Sequence, residues 1–291
     1  MLAKEVLKKI RKIEISTRKD VSSLAGGEYH SVFKGRGMEF DEVKHYYPGD
    51  QINAIDWKVT ARTGTPFIKR FVEERELTVM LVVDASASHD FGSSEKSKKD
   101  LIAELGALLA FSAIRNNDRV GLLTFSEDVD LYLPPKKGRS HGMRVIRELV
   151  TMNPPAKGTS ITKALDYLAR VEKGRSIVFL ISDFIDEGYE KQLSIISKKH
   201  DLLLLRIRDE MEIKLPEHGL VELEDAETGE RFMADPADRD WQDTFAALGA
   251  ANEEAWQAMT KKMKLDTIDI DTVNSYVVPL RNFFKRRSRR Y

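Results

Sequence analysis

Residues 77–88 read LTVMLVVDASAS, from Leu77 to Ser88, and the fold turns on how this stretch is read. A strand covered on both faces of its sheet is a nearly continuous aliphatic run, whereas a strand with one wet face alternates apolar and polar residues. Only Thr78 interrupts the run before it ends at Asp84, and serines then follow at every second place, Ser86 and Ser88. In an extended segment residues i, i+2 and i+4 point the same way. One carboxylate and two hydroxyls therefore face a common point at the end of a buried strand.

Downstream, short aliphatic runs alternate with helical stretches. KSKKDLIAELGALLAFSAIRNND carries Leu101, Leu105, Leu108, Leu109 and Ile114 on a helical stripe. RVGLLTFS reads as a strand, and EDVDLYLPP follows too soon for a crossover helix, so the two form an antiparallel hairpin. GMRVIRELVTM and SITKALDYLARV read as helices, RSIVFLISDF as a second buried strand, and YEKQLSIISKKH and DLLLLRIRD as a further helix and strand. The alternation predicts an α/β core over residues 77–215, a doubly wound and mostly parallel sheet with one antiparallel strand.

The flanks differ from this core. Residues 1–25 hold Leu2, Val6, Leu7, Ile10 and Ile13 at helical spacing. Residues 26–76 are rich in glycine, aromatics and β-branched residues without helical periodicity. They predict a small β-rich region with turns at Pro48-Gly49-Asp50 and Thr63-Gly64-Thr65. Residues 216–291 form an extension: a hairpin around Thr228-Gly229, a helix from Trp241 to Lys264, the strand DTIDIDT and a basic tail.

Composition narrows the functions. With 47 Lys and Arg against 47 Asp and Glu the formal charge is zero, so no overall field draws the chain to nucleic acid or an anionic membrane. Cysteine is absent, which excludes disulfides, thiolate metal sites and cysteine nucleophiles and fits a reducing, cytoplasmic setting. No window offers the ~20 apolar residues of a membrane span. No Gly-x-x-x-x-Gly-Lys-Ser/Thr loop is present, and the six histidines show no zinc-binding spacing.

In a parallel α/β sheet the loops leaving the carboxyl ends of the strands converge on a crevice where ligands bind. Asp84, Ser86 and Ser88 lie at one such end. Thr159, beside Gly158 at a helix start, and Asp183, after the second buried strand, add oxygens from two others. Two carboxylates and three hydroxyls suit a small hard cation, Mg²⁺ or Mn²⁺, with a coordination position left for an acidic side chain of a partner.

These residues resemble the metal-ion-dependent adhesion site (MIDAS) of von Willebrand factor A-like domains, an Asp-x-Ser-x-Ser motif with a Thr and an Asp on separate loops. The resemblance implies that Asp84, Ser86, Ser88 and Thr159 are metal ligands and that Asp183 is the second carboxylate. Lys157-Gly158 stands where Gly-Gly is commoner. Over nearly the whole chain, KGRGMEFDEVKHYYPGDQINAIDWKVTAR, NNDRVGLLTFS, ISDF and LPEHGLVELEDAETGE resemble the bacterial family called domain of unknown function 58. That resemblance implies a non-catalytic adaptor or cofactor of a MoxR-type AAA+ ATPase.

Two other functions stand beside the metal-dependent protein-binding module. One is a Mg²⁺-dependent phosphohydrolase with Asp84 as nucleophile, disfavoured because Ser86 stands where such sites need a second carboxylate. The other is a metal-free scaffold. Within the Gly49–Arg62 signature, Asp50, Asp56 and Arg62 are expected to form buried ion pairs around Trp57 that dock the amino-terminal β region onto the sheet, with a partner-binding surface as the rival. The basic end from Arg281 to Tyr291 is expected to be a solvated helix end whose cations complement the macrodipole, with docking to an acidic partner or anionic lipid as the rival.

Overall fold

The computed structural model describes residues 3–23, 39–72, 76–86, 97–152, 158–209, 221–224, 231–235 and 238–288. The chain divides into two units, Phe33–Leu77 and a larger one of Met1–Val32 with Thr78–Tyr291.

In the larger unit the strand quoted above is β3 (Thr78–Asp84), preceded in the chain by β1 (Glu39–His45) and β2 (Phe67–Val72) of the smaller unit, and every residue from Val79 to Asp84 is buried. Around it run α3 (Lys98–Arg115), β4 (Arg119–Phe125), β5 (Val129–Lys136), α4 (Arg139–Val150), α5 (Ile161–Val171), β6 (Ile177–Ser182), α6 (Glu190–Lys199) and β7 (Asp201–Arg208). After the hairpin β8 (Val221–Glu224) and β9 (Arg231–Ala234) come α7 (Arg239–Met263), β10 (Asp266–Asp271) and α8 (Val277–Ser288). The six-stranded sheet has the order β10-β7-β6-β3-β4-β5. All neighbours are parallel except β4 and β5, the expected hairpin.

Alternation along the strands divides the core. Met80 and Val82, with Leu123, Phe125, Val178 and Leu180, pack against α5, α6 and Trp256 of α7. Val79, Leu81 and Val83 are equally buried and point to the other face. On the first helix, α1 (Ala3–Ser23), Val6, Ile10, Ile13 and Thr17 make one buried stripe. The helix lies against α3 and α4, with Lys9 paired to Asp100 at 2.5 Å.

The smaller unit pairs β1 (Glu39–His45) with β2 (Phe67–Val72) in an antiparallel ladder. A helix, α2 (Trp57–Thr63), lies between them where only strands and turns were expected. Caps rather than periodicity make it. Asp56 accepts from the backbone N–H of Lys58 and Val59, and Gly64 ends the helix at φ 75°. The helix buries no side chain, so it left no apolar stripe in the sequence.

Among the described residues, Asp50, Asp56 and Arg62 form no ion pairs with one another around Trp57. Asp50 pairs with Lys44 at 3.1 Å and accepts from Tyr47 N–H, Asp56 is the helix cap, and Trp57 is 68 % exposed. At the other end of the chain, Lys285 and Arg286 are exposed as a solvated helix end should be. Arg287 instead turns inward, buried, to Asp201 at 2.5 Å and Asp266 at 2.9 Å, the first residues of β7 and β10. Such a cation fixes the position of the helix end against two strand starts, whereas one that faces water does not.

His200, after α6, is a buried titratable group whose ring Nδ1 accepts from Ser176 N–H at 3.2 Å. Burial first, then the charges of Lys199 and Arg175, push its pKa down to about 4. Between that value and the ordinary 6.5 the unfolded chain binds a proton that the folded chain refuses, so stability rises with pH there and is lost as pH falls. The difference is on the order of 2–3 kcal/mol. Replacing His200 with Asn, which keeps an acceptor, is expected to remove that much of the decline between pH 6.5 and 4, as urea unfolding of both proteins across that range would show.

Candidate functional site

The carboxyl ends of β3, β4 and β6 lie side by side, and their loops build one rim. Asp84 closes β3 with no exposed surface. One carboxylate oxygen accepts from Ser86 N–H at 2.9 Å, and the other accepts from the hydroxyl of Ser182, the last residue of β6, at 2.7 Å. Ser182 in turn accepts from Phe184 N–H at 3.0 Å. Parallel pairing of Val83 with Ile181 brings these residues together. Ser86 is 2 % exposed and belongs to the same buried knot.

Asp183 follows Ser182 and, among the described residues, accepts from two donors. Ile185 N–H reaches Oδ1 at 3.2 Å, and the ammonium of Lys98 reaches Oδ2 at 3.3 Å. Both members of this ion pair are shielded, with side chains 1 % and 4 % exposed. Lys98 is the first residue of α3, next to the cap Ser97, whose hydroxyl accepts from Asp100 N–H. A helix N-terminus repels cations, and burying an ammonium costs several kcal/mol without a good partner. Asp183 supplies a counter-charge that offsets both.

At the end of β4, buried Ser126 donates to Asp130 at 3.0 Å, and its carbonyl accepts from Ser160 N–H at 2.8 Å. Partial burial, then the charges of Asp128 and Asp84, raise the Asp130 carboxyl above its usual range, and the Ser126 hydroxyl opposes them. Ser160 caps α5, and Asp186, from the loop after β6, accepts from Ile161 N–H at 2.8 Å. The segment carrying Thr159 is thereby tied to β4 on one side and to the Asp183 loop on the other. Thr159 is half-buried, and among the described residues its hydroxyl makes no hydrogen bond.

The sequence profile of the family described as Protein of unknown function DUF58 matches residues 42–255. Uncharacterized proteins of Mycobacterium bovis and Mycobacterium tuberculosis are each 33 % identical over 248 residues, 84 % of this chain and 77 % of theirs. The chain belongs to the DUF58 family. Among solved structures it is similar to the conserved hypothetical protein BatB from Bacteroides thetaiotaomicron, at 17 % identity, with a TM-score of 0.48, 73 % of this chain and 99 % of that one covered. It is also similar to the SpRpn10 VWA domain, at 11 % identity, with a TM-score of 0.38, 71 % of this chain and 94 % of that one covered. The sheet of this DUF58 chain, five parallel strands closed by one antiparallel edge strand, is the von Willebrand factor A-like arrangement expected from the sequence.

Of the residues expected to form the site, Asp84, Ser86 and Asp183 meet around Ser182, and Thr159 lies on the adjoining segment. Ser88 lies outside the described residues. Lys98, Ser182, Ser126 and Asp130 belong to the rim and were not anticipated. Lys98 hid in the basic run EKSKKD, which reads as a solvated loop. Its signal was its position, a lysine at the start of a helix where the macrodipole favours an acid.

Hard oxygens from Asp84, Ser86, Thr159 and Asp183 are a donor set suited to Mg²⁺ or Mn²⁺. The charge tells against it. A divalent ion on Asp183 would sit beside an ammonium already 3.3 Å from that carboxylate, and at an effective dielectric of about 20 the repulsion reaches several kcal/mol. Lys98 therefore competes with a divalent ion for Asp183. Among the described residues, no three His, Cys, Asp or Glu side chains group in a way that could hold a metal.

Because the Lys98–Asp183 pair is shielded, Asp183→Ala removes a counter-charge from a buried ammonium and is expected to cost about 3–5 kcal/mol of stability. Thr159→Ala should change stability by less than about 0.5 kcal/mol. Urea denaturation followed by circular dichroism measures both, and equal small losses would contradict the assignment of the pair.

Proposed function

We propose that this DUF58 chain is a non-catalytic protein-binding module that presents the carboxyl ends of β3, β4 and β6 to a partner protein. The observation that carries this reading is the engagement of Asp84: it is wholly buried, and each of its carboxylate oxygens already accepts a hydrogen bond. A nucleophilic aspartate must reach substrate with a free oxygen, so the same observation weighs against a phosphohydrolase using Asp84. What the rim does offer outward is Ile185, 66 % exposed and two residues from Asp183, with half-buried Thr159 on the neighbouring segment.

The proposed partner is a MoxR-type AAA+ ATPase, a choice that rests on the resemblance of the sequence to adaptors of such enzymes. The chain would act in the cytoplasm; no described helix is long and apolar enough to cross a membrane. Exposed Lys285 and Arg286 leave room for peripheral contact with an acidic surface. Two forms of the binding face differ in their cation. In the metal-bridged form Asp84, Ser86, Ser88, Thr159 and Asp183 would hold Mg²⁺ or Mn²⁺, and a partner Asp or Glu would complete the shell. The Lys98–Asp183 pair favours the metal-free form.

Affinity capture from the native host, with bound proteins identified by mass spectrometry, tests the reading. The wild-type chain is expected to retain an AAA+ ATPase in the presence of EDTA, and Ile185→Arg or Thr159→Arg to lower its recovery at least about tenfold, as loss of an interface anchor does. Recovery of no AAA+ ATPase, or equal recovery by the rim variants, would reject it.

A further inference from the structure

The helix α7 runs for 25 residues, and only Trp256 and Thr260, both in its second half, are buried. Its apolar residues follow one stripe at spacings of four and three: Trp241, Phe245 and Leu248, then, past Asn252, Trp256, Met259 and Met263. The second half of that stripe packs on the core of the sheet. The first half has no such cover. Leu248 is 60 % exposed, and the rings of Trp241 and Phe245 stack on each other at 5.2 Å while both stay partly exposed. Helices in proteins gain most of their stability by packing an apolar face, so residues 239–252, about 21 Å of helix, lack the cover that their own pattern calls for. Gly249 adds a second observation. It lies on the stripe side, four residues after Phe245 and seven before Trp256, and a Cβ there would meet nothing within 4 Å. A glycine inside a helix lowers the formation constant about fivefold against alanine, and no neighbour among the described residues requires it. A helix face without a side chain at one position admits the close approach of a large ring.

We propose that this face is covered by the same face of a second copy, in an antiparallel pair about a two-fold axis at Phe245, with Trp241 of each copy over Gly249 of the other. A two-fold contact needs a surface complementary to itself. The positions four before and four after Phe245 provide a large ring and a bare backbone, and the axis exchanges them. Charge selects the direction. Asp238, Asp240 and Asp243 gather at the start of the helix, so parallel pairing would set two acidic ends together. Antiparallel pairing instead carries each acidic end to the turn of the other copy where Arg206 and Arg208 share Glu253, with Arg208 31 % exposed. Asn252, the polar member of the stripe, falls opposite Asp238, an acceptor for its amide. Asp240, Asp243 and Glu254 lie on the far side of the helix and stay in water. Between 238 and 254 five acids stand against one cation, Arg239, which disfavours nucleic acid or anionic lipid as the occupant.

Sedimentation equilibrium of the full chain tests the pairing. The wild type is expected to be mostly dimer at about 100 µM, the weak end that suits an interface near roughly 1,000 Å². Trp241→Ala removes both rings and Gly249→Leu fills both bare positions, and each is expected to weaken the dimer at least about tenfold. Neither residue is buried, so both variants keep the fold. Gly249→Leu should weaken the dimer while raising the helical circular dichroism signal, because leucine favours helix over glycine; a glycine with no role in pairing would change the helix alone. An equimolar mixture of the two variants checks the direction. In an antiparallel mixed dimer the truncated position of one variant faces the filled position of the other, and the intact Trp241 faces the intact Gly249. The mixture is therefore expected to regain dimer near wild-type strength, whereas in a parallel pair each position faces its own copy and nothing is regained. A wild type that stays monomeric at that concentration would overturn the proposal, and so would a dimer indifferent to both variants or a mixture no stronger than either variant alone. Neither the rim nor an ATPase enters these measurements, so their outcome is separate from that of the capture.

Discussion

The Lys98–Asp183 ion pair sits where every other constraint of the larger unit converges. A parallel sheet covered on both faces has no room for polar chemistry along its strands, and β3 from Val79 on and the whole of β6 are buried. Polar groups collect where backbone pairing stops, at Asp84, Ser126 and Ser182–Asp183. There they must be satisfied by one another, because unmet buried polar groups cost a few kcal/mol each. The Asp84 carboxylate is satisfied by neutral donors from the next strand and its own loop. Asp183 accepts from the Ile185 N–H, and the ammonium from the start of α3 brings the opposite charge. The pair links three consecutive structural decisions: where β6 ends, where α3 begins, and how the rim loop leaves the sheet.

An arrangement of this kind is poor at storing net stability. Two apolar residues of similar volume often replace a buried ion pair at no loss. What it does provide is geometry, since a charged hydrogen bond fixes the carboxylate it serves more tightly than packing fixes an aliphatic tip. A binding face that must present one loop in one conformation gains from that, whichever cation is present. A tethered ammonium has the further property that its occupancy is independent of the metal content of the surroundings.

Most of the sheet was legible in the sequence because burial on both faces writes itself as uninterrupted aliphatic runs, as in LTVMLVVD and IVFLIS, and because the hairpin of β4 and β5 leaves no length for a helix. Asp84, Ser86 and Asp183 were legible for the same reason, as polar residues at the ends of such runs. Lys98 was not, because long basic side chains are nearly always solvated and a run of them looks like a wet loop. Nothing in one dimension shows that this lysine folds back across the sheet's end to a residue 85 positions away. The helix at Trp57–Thr63 escaped for the opposite reason: its cause is local, an aspartate cap and a left-handed glycine, while periodicity reports only what a helix buries.

The rim also depends on a part of the chain that reads, by sequence, as an appendage. Phe184 holds φ at 61°, a conformation that costs a non-glycine residue on the order of 1–2 kcal/mol. It is kept there from both sides. Its N–H is bound by the Ser182 hydroxyl, and its ring, almost fully buried, packs against Trp256 of α7 with centroids 4.6 Å apart. Trp256 is itself fixed by the Arg206 guanidinium 4.7 Å over its ring, and Arg206 binds Glu253 on the same helix and Asp269 on β10. A left-handed residue immediately after Asp183 turns the chain sharply, so that the carboxylate points in toward Lys98 while Ile185 emerges into solvent. The carboxyl-terminal extension is therefore a structural part of the rim: its helix braces the turn that separates the buried ion pair from the exposed contact residue, and a change at Trp256 would be felt first at Asp183 and Ile185.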